Sequence, residues 1–454
     1  MRSYYPLRAG IVLALFVYGG LAAPAQQSSL TLSQAVAIAL KVNPDKQLTR
    51  DSVDAARLDA QTARTMLLPK LNFSESATRG NDPVFVFGSK LRQQIFAQSD
   101  FAPNSLNRPI PINDFATQFS GTWTAFDSWH TQFEIHKTDL LARSASASAS
   151  RSDQEIVLRT IQAYESILFS LRQIDVVQHD VGTAQALLDA SQTRVEAGLA
   201  VDSDRLTANA YLAERQQELL SAQGSTEVAW AELEAALGES IPADRRQLMP
   251  LSEREFADLP LQDQVAAALK ARADRESLQL QGDAARSAVQ AAKSAFGPQI
   301  NTYGTWEMDK GSFAGSGGNN WVAGAELRID ILPAAKRQNL AAAKIALDRT
   351  DAAKAAADRT IQLQVTRAYY EHHTAGQMLL VAKASMNQAD EGLRILQERY
   401  AAGLATMTDL LRTEDAARQS RASYWQAVFS STLTYAALKF ADGTLNQDSA
   451  GDLQ

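Results

Sequence analysis

The stretch RVEAGLAVDSDRL at residues 194–206 returns as RYAAGLATMTDLL at residues 399–411. The copy is not isolated. Gly198 and Gly403 are 403 − 198 = 205 residues apart, and the same offset aligns Ala163-Tyr164 with Ala368-Tyr369 and Ser128 with Pro333. Earlier in each half, LTLSQAVAIALK and LPLQDQVAAALK align Leu32 with Leu261 at 261 − 32 = 229, and Pro69 and Pro298 share that offset. The offsets differ by 229 − 205 = 24 residues, all of them between Pro69 and Ser128. Collinear matches of this kind specify an internal duplication. Whatever the chain folds into is built twice from one plan.

Each half reads as helix, strand pair, very long helix, tight turn, helix. In the first half the opening helix is expected over residues 32–68, strained at Pro44, and the long helix from about residue 128 to residue 197. Its counterpart starts at Pro333, a residue suited to the first helical position. At ~1.5 Å per residue, such a helix reaches about 100 Å, which implies a coiled coil or helical array rather than a globule. Ile167, Ile174, Val181, Leu188 and Val195 recur every seven residues, and Leu379, Met386, Leu393 and Tyr400 take the matching places, with His372 standing where the first half has Ile167. Sustained seven-residue spacing packs helices side by side. The tract SASASAS at residues 144–150 has a linker's composition, but its counterpart at 349–355 is an alanine-rich helix former, so both are read as helix whose small side chains permit close approach.

Composition agrees: 23 glycines and 13 prolines are few for 454 residues. A net charge of −7 argues against a nucleic-acid binder, which needs a basic footprint. The absence of cysteine removes disulfides, thiolate chemistry and cysteine-linked lipid anchors. Arg2 and Arg8 precede an apolar run at residues 11–18 and the small residues Ala23-Pro24-Ala25. That is the pattern of an export signal, residues 1–25; as an uncleaved anchor the run is short for a spanning helix. The expected organisation is then a signal peptide at 1–25 and a first repeat at 26–238 with strand pair about 70–126 and tip 197–203. A connector at 239–260 leads to a second repeat at 261–440 with strand pair about 299–331 and tip 401–408, and a flexible tail at 441–454 follows.

Between the helices the period changes to two. Phe115, Phe119, Trp123 and Ala125 alternate with polar residues, as do Trp321, Ala323, Ala325, Leu327, Ile329 and Ile331. These are strands with one apolar face, each near the ~9–11 residues a tilted strand needs to cross a bilayer. Weaker first members of each pair lie at 71–78 and 300–308. Such hairpins could equally lie on the helices of a soluble domain. Export, and aromatic residues near strand ends (Trp123, Phe126, Trp129, Trp306, Trp321), favour lipid contact for Phe115, Phe119, Trp123, Trp321, Leu327 and Ile329. A sheet in lipid must close on itself, and four strands cannot. A membrane-embedded sheet of this kind has to be shared among copies of the chain.

Export, the duplicated plan and the AGL-x-x-x-S/T-D turn together resemble the TolC-like outer-membrane channels, the outer-membrane efflux proteins of Gram-negative bacteria. The resemblance runs over about residues 30–440 and is carried by RVEAGLAVDSDRL and RYAAGLATMTDLL, supported by LLPKLNF, FGPQINTYGTW and LTLSQAVAIALK. It implies a mainly α fold with a small β part: a homotrimer with a twelve-stranded barrel in the outer membrane and a periplasmic tunnel of twelve helices. It also implies a periplasmic adaptor (a membrane fusion protein), an inner-membrane pump of RND, ABC or MFS type, contact with outer-membrane lipid, and no chemistry in the channel itself, hence no cofactor. By the same resemblance, the turns at Gly198, Leu199, Ala200 and at Gly403, Leu404, Ala405 are adaptor-docking tips. Ser203, Asp204, Tyr400, Asp409 and Arg412 fall at gate positions. Ala405 stands where some members carry a gate arginine and Arg412 where some carry an acid, so Arg412 or Arg205 is expected to supply the cation for Asp204 or Asp409. Local chemistry suits turns: Gly198 and Gly403 fit the left-handed position ending a helix, and Asp202 or Ser203, and Thr406 or Thr408, are expected to cap the next helix.

An enzyme finds little support. Glu371-His372-His373 is not a metal motif, because adjacent helical residues point about 100° apart, and no phosphate loop is present. A soluble periplasmic coiled-coil adaptor or scaffold explains export and heptads but not four amphipathic strands at equivalent positions. Nothing in the sequence chooses among drug, metal and protein cargo, or gives the longer first-half loop at 81–113 a role.

Overall fold

The computed structural model describes residues 30–242, 246–249, 251–254, 256, 259–451 and 453. The export signal expected at 1–25 and part of the connector lie outside these residues. The first half contains α1 (Leu32–Val42), α2 (Pro44–Thr65), β1 (Lys70–Gly80), α3 (Pro83–Arg92), a 3-10 turn (Gln98–Phe101), α4 (Pro103–Asn107), β2 (Ile112–Phe126), α5 (His130–Glu196) and α6 (Asp202–Leu237). The second contains α7 (Leu261–Ala271), α8 (Ala273–Ser294), β3 (Gln299–Lys310), β4 (Gly317–Arg328), α9 (Ala334–Ala401), α10 (Met407–Ala441) and a short α11 (Gln447–Gly451).

The opening helix expected over 32–68 is two helices. Asn43 takes φ −58° and ψ 129°, the extended geometry that a following proline favours, and so ends α1. Its side-chain oxygen then accepts from the Asp45 amide at 2.8 Å and starts α2. The second half breaks 229 residues later at Arg272, which adopts φ −70° and ψ 123° without any proline. The first break is clasped by the end of α6 and the second by the end of α10. Asn43 Nδ2 donates to the Ala236 carbonyl at 2.8 Å, and Arg272 Nη1 donates to the Ala441 carbonyl at 3.2 Å. Gly238 (φ 83°) and Gly443 (φ 81°) end those helices in the left-handed conformation. A Cβ on Gly238 would lie 2.8 Å from Asn43 Cα, and one on Gly443 would lie 2.9 Å from Arg272 Cγ.

α5 and α9, with 67 and 68 residues, run the length of the molecule. On the strand side α5 packs against α2 and α8, and α8 against α9; on the tip side α5 packs against α6 and α10, and α10 against α9. The serine tract lies inside α5. Ser144 Oγ and Ser148 Oγ meet Ser277 Oγ of α8 at 2.9 and 2.8 Å, a separation that only short side chains allow. The largest core sits midway, where α1 and α11 dock against α5 and α6 and bury Leu32, Val36, Ile161, Tyr164, Leu233 and Leu237. The segment from 441 onward, expected to be a flexible tail, instead buries Leu445, Ala450 and Leu453 in this core. Their apolar area is withdrawn from water, at about 25 cal/mol per Å².

The four strands form one antiparallel sheet in the order β1-β2-β3-β4. Ile329, expected as a strand residue, lies beyond the end of β4. Pairing stops at Arg328 opposite Gln299; the residue before Gln299 is Pro298, which has no amide to continue the ladder.

Candidate functional site

Two parts of the molecule carry the residues singled out from the sequence: the turns joining each long helix to its return helix, and the faces of the sheet. The turns are built alike. Gly198 has φ 70° and Gly403 φ 76°, with open space where a Cβ would stand. The amides of Gly198 and Leu199 donate to Val195 and Arg194 at 2.9 and 2.8 Å; those of Gly403 and Leu404 donate to Tyr400 and Arg399 at 3.0 and 2.8 Å. Satisfying the last carbonyls in this way closes a helix without outside help. Leu199 and Leu404 project into solvent, each more than two-thirds exposed, while Ala200 and Ala405 are half-buried.

The return helices start differently. Thr406 and Asp409 form a reciprocal capping box: the Asp409 amide donates to Thr406 Oγ1 and the Thr406 amide to Asp409 Oδ2, both at 3.2 Å. Hydrogen bonds from Thr406 hold the Asp409 carboxyl below its usual range. Neither Asp202 nor Ser203 caps α6. Val201 occupies the cap position, and Asp202 is the first helical residue. Its carboxylate accepts from Arg205 Nε at 2.8 Å, an exposed pairing between residues three apart on one helix face.

Within one chain, then, Arg205 is committed to Asp202, while Asp409 is held first by Thr406, with the charges of Arg412 and Arg399 adding to the lowering of its pKa. Asp204 and Arg412 have no ion-pair partner among the described residues. Tyr400 packs beside Leu393, Leu410 and Ala417. At the tip, a cross-connection between hairpins comes from Arg194, a residue of the repeat that was not singled out. Its guanidinium reaches the carbonyls of Tyr400 and Ala401 at 3.3 and 3.4 Å and lies 4.8 Å from the centroid of the Tyr400 ring. A cation at the C-terminus of α9 also meets the negative end of the helix dipole. The arginine at this place in both copies (194 and 399) was the available signal.

Further from the tip lies a charged layer between the hairpins that heptad reading passed over. Arg215, 1% exposed, pairs with Glu214 and Glu218 at 2.8 and 2.9 Å. Arg421 pairs with Asp390 within the second hairpin at 2.7 Å, and Arg418 reaches Glu218 of the first hairpin at 3.6 Å. Asp180 and Glu414 are buried, and burial raises the pKa of both.

On the sheet, register resolves the two faces. Phe73, Phe119, Trp306 and Trp321 pair successively and make one aromatic row across all four strands, with ring centroids 5.0 Å apart for Phe73–Phe119 and 5.9 Å for Phe119–Trp306. Phe115, Trp123 and Leu327 share that face, and the Trp123 indole donates to the Leu67 carbonyl at 3.0 Å. Asn72, Ser74, Gln118, Ser120, Asn301, Glu307 and Asn320 line the other face. The outer edges of β1 and β4 have no partner strand among the described residues. No described helix is long and apolar enough to cross a membrane.

Comparison with known proteins matches this architecture throughout. The model of the family described as "Outer membrane efflux protein" matches residues 35–239 and 265–444. The alkaline protease secretion protein AprF of Pseudomonas aeruginosa is 22% identical over 422 residues, covering 90% of this chain and 84% of AprF. The CmeC outer membrane channel of Campylobacter jejuni superposes with a TM-score of 0.78 at 17% identity, covering 98% of this chain and 97% of CmeC. The open state of the MtrE outer membrane channel of Neisseria gonorrhoeae gives 0.76 at 17% identity, covering 92% and 91%.

Proposed function

The chain belongs to the outer membrane efflux protein family, and from that premise we propose how its parts divide the work. It is a channel of the Gram-negative outer membrane, not an enzyme, and serves as the exit duct of an efflux or secretion system. Members of the family form trimers and work with adaptor and pump partners. In this chain, three copies of the four-stranded sheet close a twelve-stranded barrel, with the aromatic row toward lipid and the Gln118–Glu307 face toward the lumen. The observation that carries this reading is a sheet with an apolar face and two edges unpaired among the described residues, since each unpaired backbone group in hydrocarbon costs several kcal/mol. Exposed Leu363, Tyr370, Met378 and Val381 on α9 give the neighbouring copy an apolar surface to cover.

The tips then carry two roles. Exposed Leu199 and Leu404 offer the adaptor an apolar contact at each turn. Arg194, holding the end of α9, keeps the two hairpins of one protomer together and the tip narrow. Asp204 and Arg412, with no ion-pair partner among the described residues, face neighbouring protomers and complete the closure, with Ser203, Tyr400 and Asp409 around them. Protein cargo delivered by an ABC-type pump is favoured over small molecules by the likeness to a protein named for alkaline protease secretion; RND and MFS pumps are the alternatives. Outer-membrane fractionation, native mass of the purified protein and single-channel conductance test the reading. A trimer with low resting conductance is expected, rising several-fold in Asp204→Ala/Arg412→Ala. A water-soluble monomer in the periplasmic fraction would sink it.

A further inference from the structure

The connection between β1 and β2 is the part of the first half that the second half lacks, and it is a folded unit. Phe96 lies edge-on to Phe87 and Phe101, with centroids 4.9 and 5.2 Å away. Lys90 Nζ holds Asp100 Oδ1 at 2.7 Å, and Asp82 caps α3 through the Phe85 amide at 2.9 Å. The unit is seated on the polar face of the sheet. Ser89 Oγ donates to Asp114 Oδ2 at 2.8 Å, and Gln93 Nε2 donates to Asp114 Oδ1 at 2.9 Å and to the Asn113 carbonyl at 2.8 Å. Arg92 meets Glu307 at 3.4 Å, and Asn320 Nδ2 donates to the Arg92 carbonyl at 3.2 Å. A Cβ on Gly318 would stand 2.1 Å from that carbonyl, so the seat needs a glycine there. In the barrel reading, which this inference rests on, α3 therefore lies inside the outer mouth.

The side of α3 turned away from the sheet is apolar. Val84 and Leu91, seven residues apart, are 81% and 49% exposed, and Ile95, just past the left-handed Gln94 that ends the helix, is 58% exposed. Gly88 lies between them with nothing within 4 Å of its missing side chain. A helix with side chains is about 10–12 Å across. A twelve-stranded barrel lies between eight strands, which side chains fill, and about sixteen, which leave a water channel. Three such helices cannot share that mouth without approaching one another, and the symmetry that joins the open sheet edges brings their apolar sides to the axis.

We propose that Val84, Leu91 and Ile95 of three protomers meet about the barrel axis and close the external mouth as an apolar constriction, each exposed stripe being covered by its copies. This is a second barrier in series with the tip, at the opposite end of the duct. Narrow apolar constrictions stop ions by excluding water. The three stripes complete the barrier only together; one chain has half of nothing to close against.

The chain has no cysteine, so a single introduced thiol reports position without background. In purified trimers, Val84→Cys and Leu91→Cys should give inter-protomer covalent dimers with a short bis-maleimide, while Phe313→Cys, which packs on Phe115 of the opposite face, should not. In an Arg194→Ala background that relaxes the tip, Val84→Ser/Leu91→Ser and replacement of residues 84–110 by a short Gly-Ser loop should each at least double the single-channel conductance. Intact trimers with neither cross-linking nor a conductance change in either variant would overturn the constriction. Failure of the unmodified protein to form trimers would instead overturn the barrel reading beneath it.

Discussion

The two halves of the chain solve one problem with different chemistry. Each must break its opening helix and clasp the break to the end of its return helix. The first half does so with Asn43-Pro44, a local device in which proline itself forbids the helix and the asparagine makes one neutral hydrogen bond to Ala236. The second half has no proline at its break. Arg272, 4% exposed, joins Asp274 at 2.6 Å, Gln364 at 2.7 Å and the Ala441 carbonyl in one buried knot. Arg151 reinforces that helix end by donating to the Phe440 carbonyl at 2.8 Å, at the cost of a guanidinium pKa pushed down to about 10 by burial and by the Arg272 charge. One break is written in backbone restriction and the other in a charge network. What the duplication preserved is geometry: the same two carbonyls, the same two glycines.

The comparison breaks most sharply at those glycines. Gly238→Ala places a methyl 2.8 Å from backbone and should cost on the order of 3 kcal/mol, enough to suppress folded trimer. Gly443→Ala meets Arg272 Cγ at 2.9 Å and the Arg272 backbone at 3.2 Å, and because Arg272 is held in its network the cost should be similar. Gly198→Ala and Gly403→Ala, with open space around them, should lose only about 1 kcal/mol for the left-handed backbone. Thermal midpoints of the detergent-solubilised trimers rank all four.

A pH test separates the halves next. Glu165 is buried in α5, and burial lifts its pKa from 4.5 to about 7 against the opposing charge of Arg254, whereas the place 205 residues on is the exposed Tyr370. The folded state binds this proton more tightly than the unfolded one. The contribution is therefore fully present below about pH 4.5 and lost as pH rises through 7, a change of up to about 3 kcal/mol. Thermal midpoints should fall between pH 5 and 8 and flatten in Glu165→Gln. Tyr370→Phe should leave the profile as it was.

Arg272→Met should cost about 2 to 3 kcal/mol, because it leaves Asp274 and a helix carbonyl without their partner, and Asn43→Ala about 1 kcal/mol, since Pro44 still enforces the break. Equal losses would show that the network adds nothing to the shared geometry. The smallest stability effect, about 1 kcal/mol, belongs to Arg194→Ala. It should nevertheless raise resting conductance, while Arg399→Ala, whose side chain makes no such bridge among the described residues, should not. Equal conductance in both variants would remove Arg194 from the closure.

Much of this was legible beforehand, and unevenly. The left-handed ends at Gly198 and Gly403 followed from local chemistry, because a chain that must reverse after a helix needs that conformation wherever it lies. The strands followed from alternation, though the row joining Phe73 and Trp306 to Phe119 and Trp321 did not, since register is a relation between segments far apart in the chain. The cap of α6 was misread. Asp202 and Ser203 have the right chemistry, but Val201 takes the extended backbone at the cap, which moves Asp202 into the helix and its carboxylate onto Arg205. The tail looked free because a short polar-flanked segment has no periodicity, and only the presence of α1 beside it gives Leu445 and Leu453 somewhere to bury.

By itself, the order of residues determined the duplication, the long helices with their tight turns, and the two-faced strands. These rest on short-range sterics and on periodicity, which act the same in any context. Only the tertiary structure decided which carboxylate each arginine holds, which face α3 sits on, and that two unlike breaks share one clasp. Those choices depend on distances between groups a hundred or more residues apart, and such distances do not exist until the chain has folded.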